Sequence, residues 1–155
     1  MIKKALIQSL KGQLEEQYRR SIAAVEGAHE AATGDDTKAE GKYDTRALEA
    51  SYLAAGQAEQ ADELARGVAA VNACQFPEFQ MDDPVGPGAL VECDQEGELV
   101  YFLLAPGGGG MVCREPKSGI SATVLGPEAP LREKLMGKTP GQSTDDPRLL
   151  ILEVM

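Results

Sequence analysis

From Lys3 to about Thr33 the chain holds no proline, and its apolar positions fall at Leu6, Leu10, Leu14, Tyr18, Ile22, Val25, His29 and Ala32. Steps of four and three put these side chains on one face of a helix. Thirty helical residues extend about 45 Å. Gly12 and Gly27 weaken that helix, at roughly 1 kcal/mol apiece relative to alanine. Thr33-Gly34-Asp35-Asp36-Thr37 breaks the pattern, and it resumes from about Thr45 with Leu48, Tyr52, Ala55, Ala58, Ala61, Ala65, Val68 and Val71. The second stripe is rich in alanine, so a partner helix can approach closely. Two one-sided helices of matched length around a short polar break predict an antiparallel hairpin that buries stripe against stripe. One long bent helix, or part of a larger bundle, is the alternative the pattern leaves open.

Beyond residue 76 the pattern changes period. Pro77, Pro84 and Pro87, with Gly86 and Gly88, mark a linker over 77–88. Ala89–Cys93, Leu99–Leu104, a shorter Met111–Cys113, Ile120–Leu125 and Leu149–Val154 read as strands between Gly, Pro and Asp clusters. Asp94-Gln95-Glu96-Gly97 reads as a hairpin turn, Gly107–Gly110 as a mobile hairpin loop, and Leu131–Met136 as one short helix. The expected architecture is α+β: a helical hairpin over 1–76, the linker, and a small sheet domain over 89–155.

Charge narrows the partners. The formal net charge is -10 and the isoelectric point near 4.6. Affinity for a bare phosphate backbone comes from Lys and Arg, so free DNA is an unfavourable partner. A basic protein surface suits the balance, as does a solvated acidic surface with no partner at all. Cys74, Cys93 and Cys113 form no Cys-x-x-Cys pair and there is a single histidine, His29. A zinc site of the usual spacing cannot be assembled locally, and buried reduced thiols are expected. Gln8, Ser9 and Lys11 interrupt any signal-like apolar core after Lys3-Lys4, and no stretch approaches the ~20 apolar residues of a membrane span. A soluble, cytoplasmic protein is the expectation.

The richest local stretch is Ile120–Leu125, then Gly126-Pro127-Glu128-Ala129-Pro130-Leu131, a helical turn through Leu135-Met136, Gly137-Lys138, and the turn Gly141-Gln142. With the closing strand Leu149–Val154 it resembles the C-terminal domain of the GreA/GreB family of transcription elongation factors. The long hairpin with an acidic tip and the small FKBP-like sheet domain resemble that family in layout along nearly the whole chain. The resemblance implies docking of the sheet domain on bacterial RNA polymerase, through the 126–138 region and in particular Pro130, Leu131, Lys134, Gly137 and Lys138. It also implies insertion of the hairpin into the secondary channel, with its tip near the RNA 3′ end.

The chemistry of such a tip is readable from the residues. Carboxylates supplied in trans could hold a weakly bound second Mg²⁺ of the polymerase and orient water for attack on a phosphodiester. The break offers Asp35 and Asp36, with Glu40 and Asp44 beyond; Asp36, Glu40 and Asp44 are four apart and would share one face of a helix. Asp35, Asp36 and Glu40 are the candidate ligands, and no metal of the chain's own is expected. Asp35 and Asp36 also suit the simpler role of capping the second helix. Lys38, Lys42 and Arg46 repeat beside the acids, as ion pairs on a solvated face or as phosphate contacts, and Tyr43 could stack on a base. The family tip has an aspartate followed three residues later by a glutamate. Here those positions are Lys38 after Asp35 and Ala39 after Asp36. The chain is therefore expected to bind polymerase without being an enzyme, either stimulating cleavage of backtracked RNA or acting as an inhibitor or regulator. A coiled-coil interaction module unrelated to polymerase is the rival.

Overall fold

The computed structural model describes residues 1–33 and 46–155, without the side chains of residues 28–33, 46, 47 and 50. Helix α1 runs Ile2–Thr33 and α2 runs Arg46–Ala73. They are followed by β1 (Leu90–Gln95), β2 (Glu98–Leu104), β3 (Val112–Arg114), β4 (Ser121–Leu125), α3 (Pro130–Leu135), β5 (Ser143–Thr144) and β6 (Leu149–Val154). The α+β fold expected from the sequence is the fold found: two long helices, then a sheet with one short helix. Strand β5 was not anticipated, because two residues are too short to show alternation. The chain divides into two compact units, one of Met1–Gly12 with Ala69–Met155, the other of Gln13–Val68.

The first unit is built on a sheet of order β3-β4-β2-β1-β6-β5. Only the β2–β4 pair is parallel. β1 and β2 are joined across Gln95 and Glu98 by Glu96-Gly97, with φ of 54° and 90°. Two consecutive positive φ values match the twist of a tight hairpin, and the glycine supplies the costlier one. The Asp94 carboxylate accepts from the Gly97 N–H at 2.8 Å and closes the turn.

Gly107–Gly110 is not a hairpin loop. β2 and β3 do not pair; β4 lies between them. The segment crosses that position and is held there, with Gly110 N–H donating to the Val124 carbonyl at 2.9 Å and Ala105 N–H to that of Leu125 at 3.1 Å. A Cβ on Gly109 would stand 3.2 Å from the nitrogen of Gly126, so the two glycines permit this crossing by having no side chains.

Alternation along the strands gives the sheet two faces. One carries Val91, Cys93, Leu104, Leu125, Ile151 and Val154, which form a buried core with Leu135 of α3. The register places Leu90, Leu103, Ala122, Val124 and Cys113 on the other face, all at most 1 % exposed. The first turns of α1 come against this second face: Ser9 Oγ accepts from the Arg114 N–H at 3.4 Å, and Leu6 and Leu10 are fully buried. Burial of a leucine stabilises by about 1.5–3 kcal/mol. Cys93 and Cys113 are buried as expected, and burial pushes both thiols up to about 11. Cys74 is only half-buried, just past the end of α2.

In the second unit Leu14 lies against Gly67, where an added Cβ would stand 3.8 Å from Leu14 Cδ2. The next buried positions, Ser21 on α1 and Ala61 on α2, run in opposite directions from that contact, as antiparallel pairing demands. The expected apolar stripes diverge from the observed seam. Ile22, Leu48 and Tyr52 are exposed, and Ser21 occupies the buried place. The helical repeat explains it: eight residues past Leu14 a side chain has rotated by about 80°, seven past it by only about 20°. Tyr52 lies nine residues from Ala61, about half a revolution away.

Candidate docking site

Strand β4 ends at Leu125, and the chain turns at Gly126, buried against Gly109. Ala129 is extended, with φ -67° and ψ 125°, and Pro130 opens α3 at the first helical position. Proline suits that place because its missing N–H would have no helical partner and its fixed φ is already helical. No side chain caps the helix. What holds it is Arg132, whose Nη1 donates to the carbonyls of Ala105 at 3.1 Å and Leu125 at 3.3 Å. One guanidinium thus ties the helix to the ends of the parallel strands β2 and β4. Leu135 is fully buried beneath it.

The exit from α3 is held as firmly. Gly137 adopts φ 78°, a left-handed conformation that a side chain would strain. Its N–H donates to the Val85 carbonyl at 2.9 Å, and the Val85 N–H donates to the Lys138 carbonyl at 2.8 Å. Val85 comes from the proline-rich 77–88 segment, so this stretch is stitched to the helix exit. Lys134 Nζ donates to the carbonyl of Asp145 at 3.1 Å and to that of Asp146. A shallow pocket of about 380 Å³ opens here, lined by Glu133, Lys134, Met136, Lys138, Thr144 and Asp145 among others. A second, of about 440 Å³, lies between Gly109-Gly110 and Gly126–Ala129.

The structure therefore brings Pro130, Leu131, Lys134, Gly137 and Lys138 together on one short element, but in different roles. Pro130 and Gly137 are exposed, Leu131 packs against the core, and Lys134 is engaged with backbone carbonyls. Sequence reasoning missed Arg132, which looked like any exposed helical cation, and Met136, which is 38 % exposed at the pocket rim. It also missed the pairing of Gly109 with Gly126, since nothing in a chain of glycines says what crosses them.

The candidate tip carboxylates Asp35, Asp36, Glu40 and Asp44, the first three also the candidate magnesium ligands, lie outside the described residues, as do Lys38, Lys42 and Tyr43. The side chains of His29 and Arg46 are likewise outside them. Carboxylates are the right donor type for Mg²⁺. Among the described residues no group of three or more His, Cys, Asp or Glu is arranged to hold a metal ion. No described helix is long and apolar enough to cross a membrane.

The larger groove of the sheet unit, about 1000 Å³, lies at the start of α1 beside Ile2, Lys3, Ile7, Phe76 and Phe79. Lys3 is used for structure there: Nζ donates to the carbonyl of Pro77 and to the main-chain oxygen of Met155 at 2.9 Å, and stands 5.0 Å from the Phe79 ring centre. Burial lowers its pKa to about 8, against the opposing pull of Glu78.

No protein-family model and no curated protein matches the chain. Among solved structures it is similar to GreA factor homolog 1 (Gfh1) of Thermus thermophilus, at 16% identity over 94% of each chain and a TM-score of 0.37. A second structure, of the transcription factor Gfh1, shares 20% identity over 97% of this chain and 94% of that one, at a TM-score of 0.37. Thermus aquaticus Gfh1 is similar at 16% identity, over 97% of this chain and 94% of that one, with a TM-score of 0.34.

Proposed function

We propose that the chain is a bacterial transcription factor that binds RNA polymerase through its sheet unit and inserts its helical hairpin into the secondary channel. The observation that carries the reading is the element from β4 through α3 to Gly137. It has the strand, the proline-started turn of helix and the left-handed glycine exit that the GreA/GreB resemblance calls for, and it follows two long helices as in that family. Exposed Pro130, Gly137 and Met136 with the rim of Lys138 form the anchor. The acidic balance of the chain, -10 overall, suits a basic protein surface on the polymerase better than nucleic acid. This reading makes the protein cytoplasmic and gives it no catalytic machinery of its own.

At the tip, Asp35, Asp36 and Glu40 would hold the polymerase's weakly bound second Mg²⁺, with the Asp44 carboxylate beyond them. That ion supplies charge neutralisation and water activation for cleavage of backtracked RNA. Lys38 and Ala39 stand where the family pattern has its glutamate. That departure favours a second form of the same reading, in which the hairpin occupies the channel and regulates or inhibits synthesis without stimulating cleavage.

The test is competition with a Gre factor for core RNA polymerase, followed by RNA cleavage in stalled elongation complexes. Binding at a shared site is expected. Failure to bind core enzyme would sink the proposal. If cleavage is stimulated, replacing Asp35, Asp36 and Glu40 together by alanine should abolish it with binding retained. If the wild type slows cleavage or nucleotide addition, the regulatory form holds.

A further inference from the structure

Away from α3, on the second face of the sheet, the register sets three strands abreast in two adjacent rows. Leu99 of β2, Asp94 of β1 and Leu150 of β6 form one row; Tyr101, Glu92 and Glu153 form the next. The bulge of β6 after Glu92 lies between the rows. The leucines are uncovered: Leu99 is 60% exposed, Leu150 40%, and Leu152 beside them 39%. Elsewhere on this face Leu90 and Leu103 are fully buried. Leu99 on β2 and Leu150 with Leu152 on β6 lie on either side of β1, so the patch has apolar flanks about the carboxylates of Asp94 and Glu92.

The charge around the patch is of one sign along these rows. Glu92 accepts from the Tyr101 hydroxyl at 2.8 Å, and Tyr101 is pushed up to about 12 by burial, by that bond, and by the charges of Glu92 and Glu153. Arg148 is the cation that borders the strip, sharing a shallow pocket with Asp94, Glu96, Ser143 and Leu150.

We propose that this strip is a docking surface for a cationic amphipathic segment of a partner protein. The segment's aliphatic side chains rest on Leu99, Leu150 and Leu152, and its lysines or arginines meet Glu92 and Glu153. Apolar contact on the flanks holds such a segment, while complementary charge along the middle steers it into register. A nucleic acid would be repelled by the same carboxylates. The docking chemistry stands whichever protein supplies the segment; its assignment to polymerase rests on the function proposed above.

Two probes separate these. The first is a fluorescent synthetic helix carrying lysine on one face and leucine on the other, followed by anisotropy with the full chain. Leu99→Ser with Leu150→Ser is expected to weaken binding about tenfold. Glu92→Gln with Glu153→Gln should weaken it less and flatten its salt dependence. Leu99, Leu150 and Glu153 are exposed and Glu92 is half-buried, and glutamine keeps an acceptor for the Tyr101 hydroxyl, so far-UV circular dichroism should match wild type. The second probe is core polymerase with the same variants. A parallel tenfold loss there would make polymerase the partner. If both double variants bind the peptide as wild type does, or wild type does not bind it, the docking strip is overturned, whatever the polymerase result. A wild-type chain that binds the peptide but not polymerase supports the strip and overturns the proposed function.

Discussion

The sheet unit and the helical unit of Gln13–Val68 solve the same burial problem with very different margins. The sheet unit encloses Leu104, Leu135, Leu149 and Ile151 completely. Its polar backbone is satisfied by six strands and by cross-ties such as Val85 to Gly137. Among its described residues the helical unit buries Leu14, Ala61 and Ser21, while Ile22, Leu48, Tyr52 and Leu53 are exposed. Small residues at the seam let helices approach closely but remove little apolar surface from water. The sheet unit is therefore the thermodynamic anchor. The described residues of the helical unit form a seam of small side chains, to which exposed Ile22, Leu48, Tyr52 and Leu53 add little.

Leu104→Ala should expose this contrast most sharply. It empties a fully enclosed site and is expected to cost about 3–4 kcal/mol in chemical denaturation. Leu14→Ala, facing Gly67 across a seam that can close, should cost about 2 kcal/mol. Equal losses would mean that the two units are equally well packed. Arg132→Ala comes next: it removes both ties from α3 to the strand ends, with an expected loss of about 1–3 kcal/mol. Faster amide exchange at Met136, whose N–H donates to the Arg132 carbonyl, would accompany it.

The hairpin seam gives the opposite sign. Ser21 Oγ is buried without a hydrogen-bond partner, so Ser21→Ala should raise stability by about 1 kcal/mol. A loss on denaturation would show that the hydroxyl is satisfied in solution. The smallest effect is the titration of Tyr101. Its pKa is raised from 10.0 to about 12 in the fold, so its contribution to stability is whole below pH 10 and lost as pH rises through about 12. Phenolate absorbance should report that titration, and Glu92→Gln should move it back toward 10.

The sequence made the periodic elements legible because their signals are local. α1 and five of the strands follow from alternation and spacing, and the Glu96-Gly97 turn follows from glycine chemistry. What escaped was set by partners distant in sequence. Arg132 became structural only when Ala105 and Leu125 were brought to it. Gly107–Gly110 became a crossing rather than a hairpin loop because β4 occupies the place beside β2. Ser21 displaced Ile22 because a strict step of four drifts around a helix. At the candidate anchor the residue types were visible, whereas Leu131 and Lys134 gave no local sign that they are engaged within the fold.

The sheet also depends on chain that lies far away in order of synthesis. Lys3 reaches Met155, and Ser9 reaches Arg114, so the opening turns of α1 shield one face of strands made last. A fragment cut at the prolines would inherit every strand and still leave Leu103 and Val124 uncovered. Such a fragment should precipitate, and a peptide of the first dozen residues should keep it in solution.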